Sequence, residues 1–396
     1  MGSKVNNVSS AAFADTKPHY NLLDGLRGAA ALMVIWYHVF EGYAFAEGMN
    51  SVEGGGLINV FNHGYLAVDF FFILSGFVIS YAYDDRWNIN ENKRLTLGKF
   101  FKRRLIRLHP MLVMGAVIGA VCFLVQGGVK WDGSSTAFSW VMVALLFSVL
   151  FVPAYPGAAY DVRGNGEMFS LNGPSWSLFF EYIGNICYAL FIRKMSDNAL
   201  KVWVFTSGIL LALYAIMNVS GYESIGVGWT LDAVNFLGGF LRMIFPFSLG
   251  MLIARNFKPV RIKGIFWIST IVLFALFSVP FLASWNGVCI NGVYEMLCVM
   301  VAFPAIVWLA ASGTATDSVS SRVCNFLGDI SYPVYIVHYP IMYLFYSWLI
   351  EKQIYTLSES WLIVIGVFVL NITLAYVCLK LYDEPVRRWL AKRFVK

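Results

Sequence analysis

Apolar stretches long enough to cross a bilayer recur from residue 22 to residue 380, and no water-soluble core could house them. A helix needs about 20 apolar residues to span the hydrocarbon, and only helices and closed barrels satisfy their backbone groups there. Soluble domains carry about 25% charged residues; here the share is 13%, against 59% hydrophobic. The chain therefore reads as an all-α polytopic membrane protein. Its 17% aromatic residues supply interface anchors.

Basic loops set the expected topology. Lys93, Arg94, Lys99, Lys102, Arg103, Arg104 and Arg107 form the most basic segment, with no acid between Asn92 and Pro110. The positive-inside rule puts it in the cytoplasm. Spans are expected at 22–43, 64–83, 111–126, 175–192, 202–219, 231–254, 265–283, 292–312, 326–349 and 359–380. With the later basic loops also inside, 138–152 can make no net crossing, and its 15 residues are short for one. It is expected as a re-entrant or interfacial segment, leaving ten transmembrane helices with both termini cytoplasmic. The expected division is a polar tail (1–20), one transmembrane domain (21–386) and a basic cytoplasmic tail (387–396). The tail lacks an apolar core, so no cleaved signal peptide is expected. The net charge of +6 fits basic loops and needs no nucleic acid. Six cysteines scattered singly favour neither disulfides nor a metal site.

Ionisable residues inside apolar segments are costly and mark functional sites. In the first span, Arg27 and His38 are eleven residues apart, about 16 Å of rise and three turns, so they share a face. Asp24 can pair with Arg27. Histidine suits general-base work near neutral pH. Arg104 and Arg107 are one turn apart and could grip phosphates such as those of coenzyme A, besides setting topology. Pro174-Ser175-Trp176-Ser177 leads to Glu181, an acid in an apolar run. His338 lies between Pro333 and Pro340, where it could stabilise a kink or take part in chemistry. Ser75-Gly76 permits close helix contact, and Asp69 could face the cavity of His38. The segment 154–173 mixes aromatics with hydrogen-bonding groups; a sugar-binding loop and a plain solvated loop are both open. His19 and His63 are given no role.

Taken together, these stretches resemble the membrane acyltransferase-3 family over about 22–389. The family's arginine, ten intervening residues and histidine correspond to Arg27 and His38. Ser75-Gly76-Phe77 meets its SGF element, and Arg104 with Arg107 its arginine pair. Pro174 to Glu181 meets its PSWSL…E element, and Ile330, Ser331, Tyr332, His338 and Pro340 the late one. His109 stands where relatives often carry tyrosine. The resemblance implies ten helices in a bacterial inner (plasma) membrane. It also implies an acyl group, usually acetyl, moving from cytoplasmic acyl-CoA to a hydroxyl of a polysaccharide, a lipid-linked glycan or a small molecule, among membrane lipids. Some relatives carry a C-terminal hydrolase-like domain; here none is expected, and transfer is expected to be direct. The expected roles are catalysis by His38 and Arg27, with Glu181 and His338 as further candidates. Arg103, Arg104, Arg107 and Ser75 would bind the donor, and Asp69, Trp176 and Tyr332 the acceptor, without metal. His38 would act as general base or through an acyl-histidine. A transporter is the rival reading, supported by the proline-flanked span but opposed by the lack of an internal repeat. A non-enzymatic scaffold leaves Arg27, His38 and Glu181 without purpose.

Overall fold

The computed structural model describes residues 20–50, 62–87, 94–258, 262–313 and 317–395. The tail up to and including His19, most of the loop after the first expected span, Lys93 and Lys396 lie outside the described residues. Among the described residues there are eleven helices: α1 (Asn21–Asn50), α2 (Ala67–Tyr83), α3 (Leu97–Val125), α4 (Phe138–Leu150), α5 (Ser175–Leu190), α6 (Asp197–Ile216), α7 (Ala233–Asn256), α8 (Ile265–Phe277), α9 (Ile290–Ser312), α10 (Ser318–Lys352) and α11 (Leu357–Phe394). Each expected apolar segment became one helix. Polar caps start several of them. Thr96 accepts from the Lys99 N–H at 3.3 Å, and Asp317 from the Ser320 N–H at 2.7 Å. Asp232 accepts from Val234 and Asn235 N–H at 3.0 and 2.9 Å.

Seven helices (α1, α2, α3, α6, α7, α9 and α11) are long and apolar enough to cross a membrane. Helices α4 and α8 have 13 residues each and α5 has 16. With 35 residues α10 has the length, but Asp329, His338 and a run of tyrosines cost it the apolarity. Helices extend beyond the expected spans: α3 begins within the basic segment, and the basic tail continues α11 through a π-helical turn at Leu379–Asp383.

Contacts between helix ends give the direction of each element. At one end Tyr20 meets Tyr81 (4.8 Å between rings) and Phe257 (6.1 Å). There too Arg255 binds Asp84 at 2.9 Å and the Met195 carbonyl at 2.8 Å, and the Trp267 indole N–H donates to Ser320 at 2.9 Å. At the opposite end Tyr43 bonds Ser360 at 2.6 Å, and His63 bonds the Val279 carbonyl at 2.9 Å. Apart from α4, successive helices alternate in direction. Helix α4 packs on α3 through Val141 and Ala144, and its chain turns back to where α3 ends. Arg163 there bonds Gln126 at 3.0 Å, and Asn172 is again at depth, on the Ile336 carbonyl at 2.9 Å. The segment 138–174 thus dips into the bundle, returns to the end of α3 and enters the bundle again.

Between helices in lipid, close packing replaces hydrophobic burial as the main attraction, and small residues permit it. Helices α1 and α10 lie side by side and parallel. A Cβ on Gly28 would fall 2.2 Å from the Leu327 carbonyl oxygen, so only glycine fits there. Helices α2 and α7 cross as closely: a Cβ on Gly76 would fall 1.8 Å from the Phe247 carbonyl oxygen.

Candidate active site

The parallel run of α1 and α10 brings His38 level with His338. The rings stack at 5.2 Å with 29° between planes. His38 Nδ1 lies 2.7 Å from Glu41 Oε2, one turn along the helix. Tyr346 fixes this pair from α10: its hydroxyl donates to Glu41 at 3.0 Å and to the His38 carbonyl at 2.7 Å. A carboxylate only accepts, so Nδ1 carries a proton, and in the neutral ring Nε2 presents the lone pair. That Nε2 has no hydrogen bond among the described residues, and the side chains of His38 and Glu41 keep 14% and 36% exposure. Sequence reading missed Glu41, although an acid three residues after a buried histidine is a signal.

His338 is fully buried. Its Nδ1 lies 2.9 Å from the Tyr335 carbonyl and 3.2 Å from that of Val334, so the proton sits on Nδ1. Nε2 is buried without a partner. The prolines do not break α10. Pro340 has no N–H for the Ile336 carbonyl, and the Asn172 amide supplies one at 2.9 Å. The long unbroken helix removes the support that the transporter reading drew from this span.

A second cluster lies near the helix ends that carry the basic segment. Arg27 pairs with Asp24 at 3.0 Å, and the charges of Arg107, Glu181 and Arg104 also reach it. Arg104 donates to Glu181 at 2.7 Å, and Ser75 donates to the same oxygen at 3.2 Å. The structure therefore gathers Arg27, Arg104, Arg107, Glu181 and Ser75, and sets them apart from His38 by the rise between residues 27 and 38, about 16 Å. Arg104 is buried and partnered, whereas Arg107 is exposed. The Tyr332 hydroxyl donates to the Leu108 carbonyl at 2.5 Å, which ties α10 to α3 beside this cluster.

Asp69 and Trp176 belong to a third group. Asp69, fully buried, takes Arg242 Nε at 3.1 Å and a second guanidinium N–H at 2.6 Å. Arg242 also donates to the Val227 and Tyr65 carbonyls at 2.8 and 3.0 Å, with Trp176 over it at 5.2 Å. Each Asp69 oxygen accepts from Arg242, and among the described residues no hydrogen bond joins Asp69 to His38. Arg242 was missed because its partner is 173 positions away. His63, given no role, is buried and bonds Asn291 at 2.8 Å.

The segment 154–173 is packed. Asp161, Arg163, Glu167 and Asn172 are all buried. Arg163 stacks on Tyr343 at 3.5 Å and bonds the Ser170 carbonyl at 3.0 Å. Tyr343 donates to Glu167. Burial pushes the Glu167 carboxyl up to about 7, against the pull of Tyr343 and Arg163. Tyr339 links the two regions, its ring 4.7 Å from His38 and 4.6 Å from Tyr343.

Buried histidine nitrogens with open lone pairs are an expense in a helical bundle, and an integral membrane enzyme has a use for them. The chain belongs to the membrane acyltransferase-3 family: the family model described as an acyltransferase domain matches residues 20–380. It is a membrane O-acyltransferase by that membership. It is 34% identical to "Protein 2 in picA locus" of Rhizobium radiobacter over 49% of this chain and 93% of that one. It is 24% identical to acyltransferase MdmB of Streptomyces mycarofaciens over 81% of this chain and 78% of MdmB. With peptidoglycan O-acetyltransferase OatA of Listeria monocytogenes identity is 27% over 81% of this chain, which spans about half (49%) of OatA. No solved structure matches the chain.

Proposed function

We propose that this protein moves an acetyl group from cytoplasmic acetyl-CoA to a hydroxyl of a cell-surface or lipid-linked carbohydrate, in a bacterial inner membrane. The observation that carries the reading is the His38–Glu41 pair, with Nε2 of His38 open beside His338. The names of the relatives support the chemistry: an acyltransferase, and an O-acetyltransferase whose name gives peptidoglycan as its acceptor. In this reading ten helices cross the membrane, 138–174 is re-entrant, and both termini are cytoplasmic.

His38 Nε2 takes the proton of the acceptor hydroxyl as its oxygen attacks the thioester carbonyl. Glu41 holds the ring by Nδ1 and stabilises the imidazolium that forms. His338 Nε2 accepts a hydrogen bond from acceptor or donor and so orients it. Collapse of the tetrahedral intermediate breaks the carbon–sulfur bond, and the departing thiolate recovers the proton from His38. Charge and protons balance without metal. The arginine cluster holds the anionic end of the donor, and Glu181 and Ser75 fix Arg104 there. A donor anchored at Arg27 with its thioester at His38 must span about 16 Å, which suits an extended pantetheine arm. Tyr332 and Trp176 act by packing, and Asp69 through Arg242.

Inside-out vesicles with labelled acetyl-CoA test this. Wild-type protein should label a glycan or lipid fraction, and His38→Ala protein, equally abundant, should label neither. Full labelling by the variant would remove His38 from the mechanism.

A further inference from the structure

The first turns of α3 and the last turns of α11 enclose a basic groove outside the arginine cluster. Lys99 and Lys102 of α3 face Arg393, Phe394 and Val395 of α11 around a cavity of about 270 Å³. Among the described residues these three cations have no acidic partner. The seam continues inward to Asp383, which binds Arg387 at 2.5 Å and lies within reach of the Arg107 charge. The π-helical turn at Leu379–Asp383 directs Asp383 inward, where it is buried. Three polar atoms of the same two helices, Arg103 Nε on α3 and Asp383 Oδ1 and Arg387 Nε on α11, are buried without a partner. Orphaned groups of this kind are costly in a folded protein. Two observations thus stand together: unneutralised cations around a cavity, and unsatisfied polar atoms on the two helices that form it.

We propose that this groove binds phosphate, and that the phosphates are those at the nucleotide end of the donor. This rests on the acyl-CoA reading above and extends it: the end of α11 becomes a wall of the donor site. Lys99, Lys102 and Arg393 supply the charge, and Phe394 an aromatic face on which a purine can stack. The donor then lies along α3, nucleotide at the groove, phosphates towards Arg107, pantetheine arm towards His38. A phospholipid headgroup offers the same phosphate chemistry, and the test separates the two sources.

Wild-type protein and a Lys99→Ala/Lys102→Ala/Arg393→Ala variant are placed in phosphatidylcholine nanodiscs, and binding of CoA and of pantetheine is measured by calorimetry. The variant should bind CoA roughly tenfold or more weakly, the scale of lost charge-assisted contacts. Its pantetheine binding should equal that of wild type, which also shows that it is folded. A Lys99→Arg/Lys102→Arg/Arg393→Lys variant should bind CoA as wild type does. Equal CoA affinity in wild type and the alanine variant overturns the proposal while leaving the acyl-CoA reading intact. If phosphatidylglycerol then stabilises only wild type against heat, the groove serves lipid. Wild-type protein that binds no CoA at all overturns the acyl-CoA reading, and this proposal with it.

Discussion

Asp69 on α2 and His38 on α1 are both ionisable groups inside the bundle, and their surroundings differ in one respect. Asp69 gives both oxygens to Arg242, whose other N–H groups go to the Val227 and Tyr65 carbonyls. Neither side chain exceeds 1% exposure. His38 gives one nitrogen to Glu41 and leaves the other open, and Glu41 is 36% exposed. A closed network holds helices together; an open one retains the capacity to bond something that arrives. Satisfaction, more than charge or burial, distinguishes the two groups.

Four substitutions can break or sharpen that contrast. The largest effect is expected from His38→Ala. Acetyl transfer should fall about 10³-fold or more, the upper range for a general base, with the thermal midpoint unchanged. A variant as active as wild type would leave the open site without a function. Arg242→Met should do the reverse. It strands the Asp69 charge, so the stability of the protein in detergent should fall by about 3–5 kcal/mol, and Asp69→Leu in addition should restore most of it. If Arg242→Met abolished transfer and left the midpoint in place, the closed cluster would belong to the chemistry. Glu41→Gln keeps the shape but lowers support for an imidazolium; kcat should drop about 10²-fold with KM for acetyl-CoA unchanged. A change in KM alone would move Glu41 to donor binding.

The fourth concerns the packed segment 151–174. Burial raises Glu167 from 4.5 to about 7 in the folded protein. The folded state therefore holds a proton that the unfolded chain has lost between those values. Stability is full below about pH 4.5 and declines as pH rises towards 7, by up to about 3 kcal/mol in all. Thermal midpoints across that range should show the decline, and Glu167→Gln should flatten it. A flat wild-type profile would show that Glu167 is solvated.

Helix existence was legible throughout, because hydropathy reports burial in lipid whatever the tertiary fold. Helix ends were not: α3 starts within the basic run because Thr96 caps it and the charged residues themselves are good helix formers. His38 could be singled out by its apolar neighbours. That Arg27 and His38 have different surroundings could not be read from one helix face, since Arg104, Arg107 and Glu181 come from α3 and α5. The partner of Asp69 was not legible for the same reason: it sits on α7, and no local pattern announces a pair so distant in sequence. Asn172 shows the limit from the other side. Its spacing is uninformative, and its function is to serve a carbonyl that a proline on another helix abandons.

Gly28 has a further consequence. Where it touches Leu327, the backbones of α1 and α10 are in contact, and ten residues later along α1, His38 faces His338. Two parallel rods pinned at one point keep their graduations aligned along their whole length, like a vernier against its scale. A side chain at Gly28 would force the rods to slide or part, and the misalignment would appear at the histidines, about 15 Å away. The register of His38 against His338 is therefore set by a residue ten positions away on the same helix.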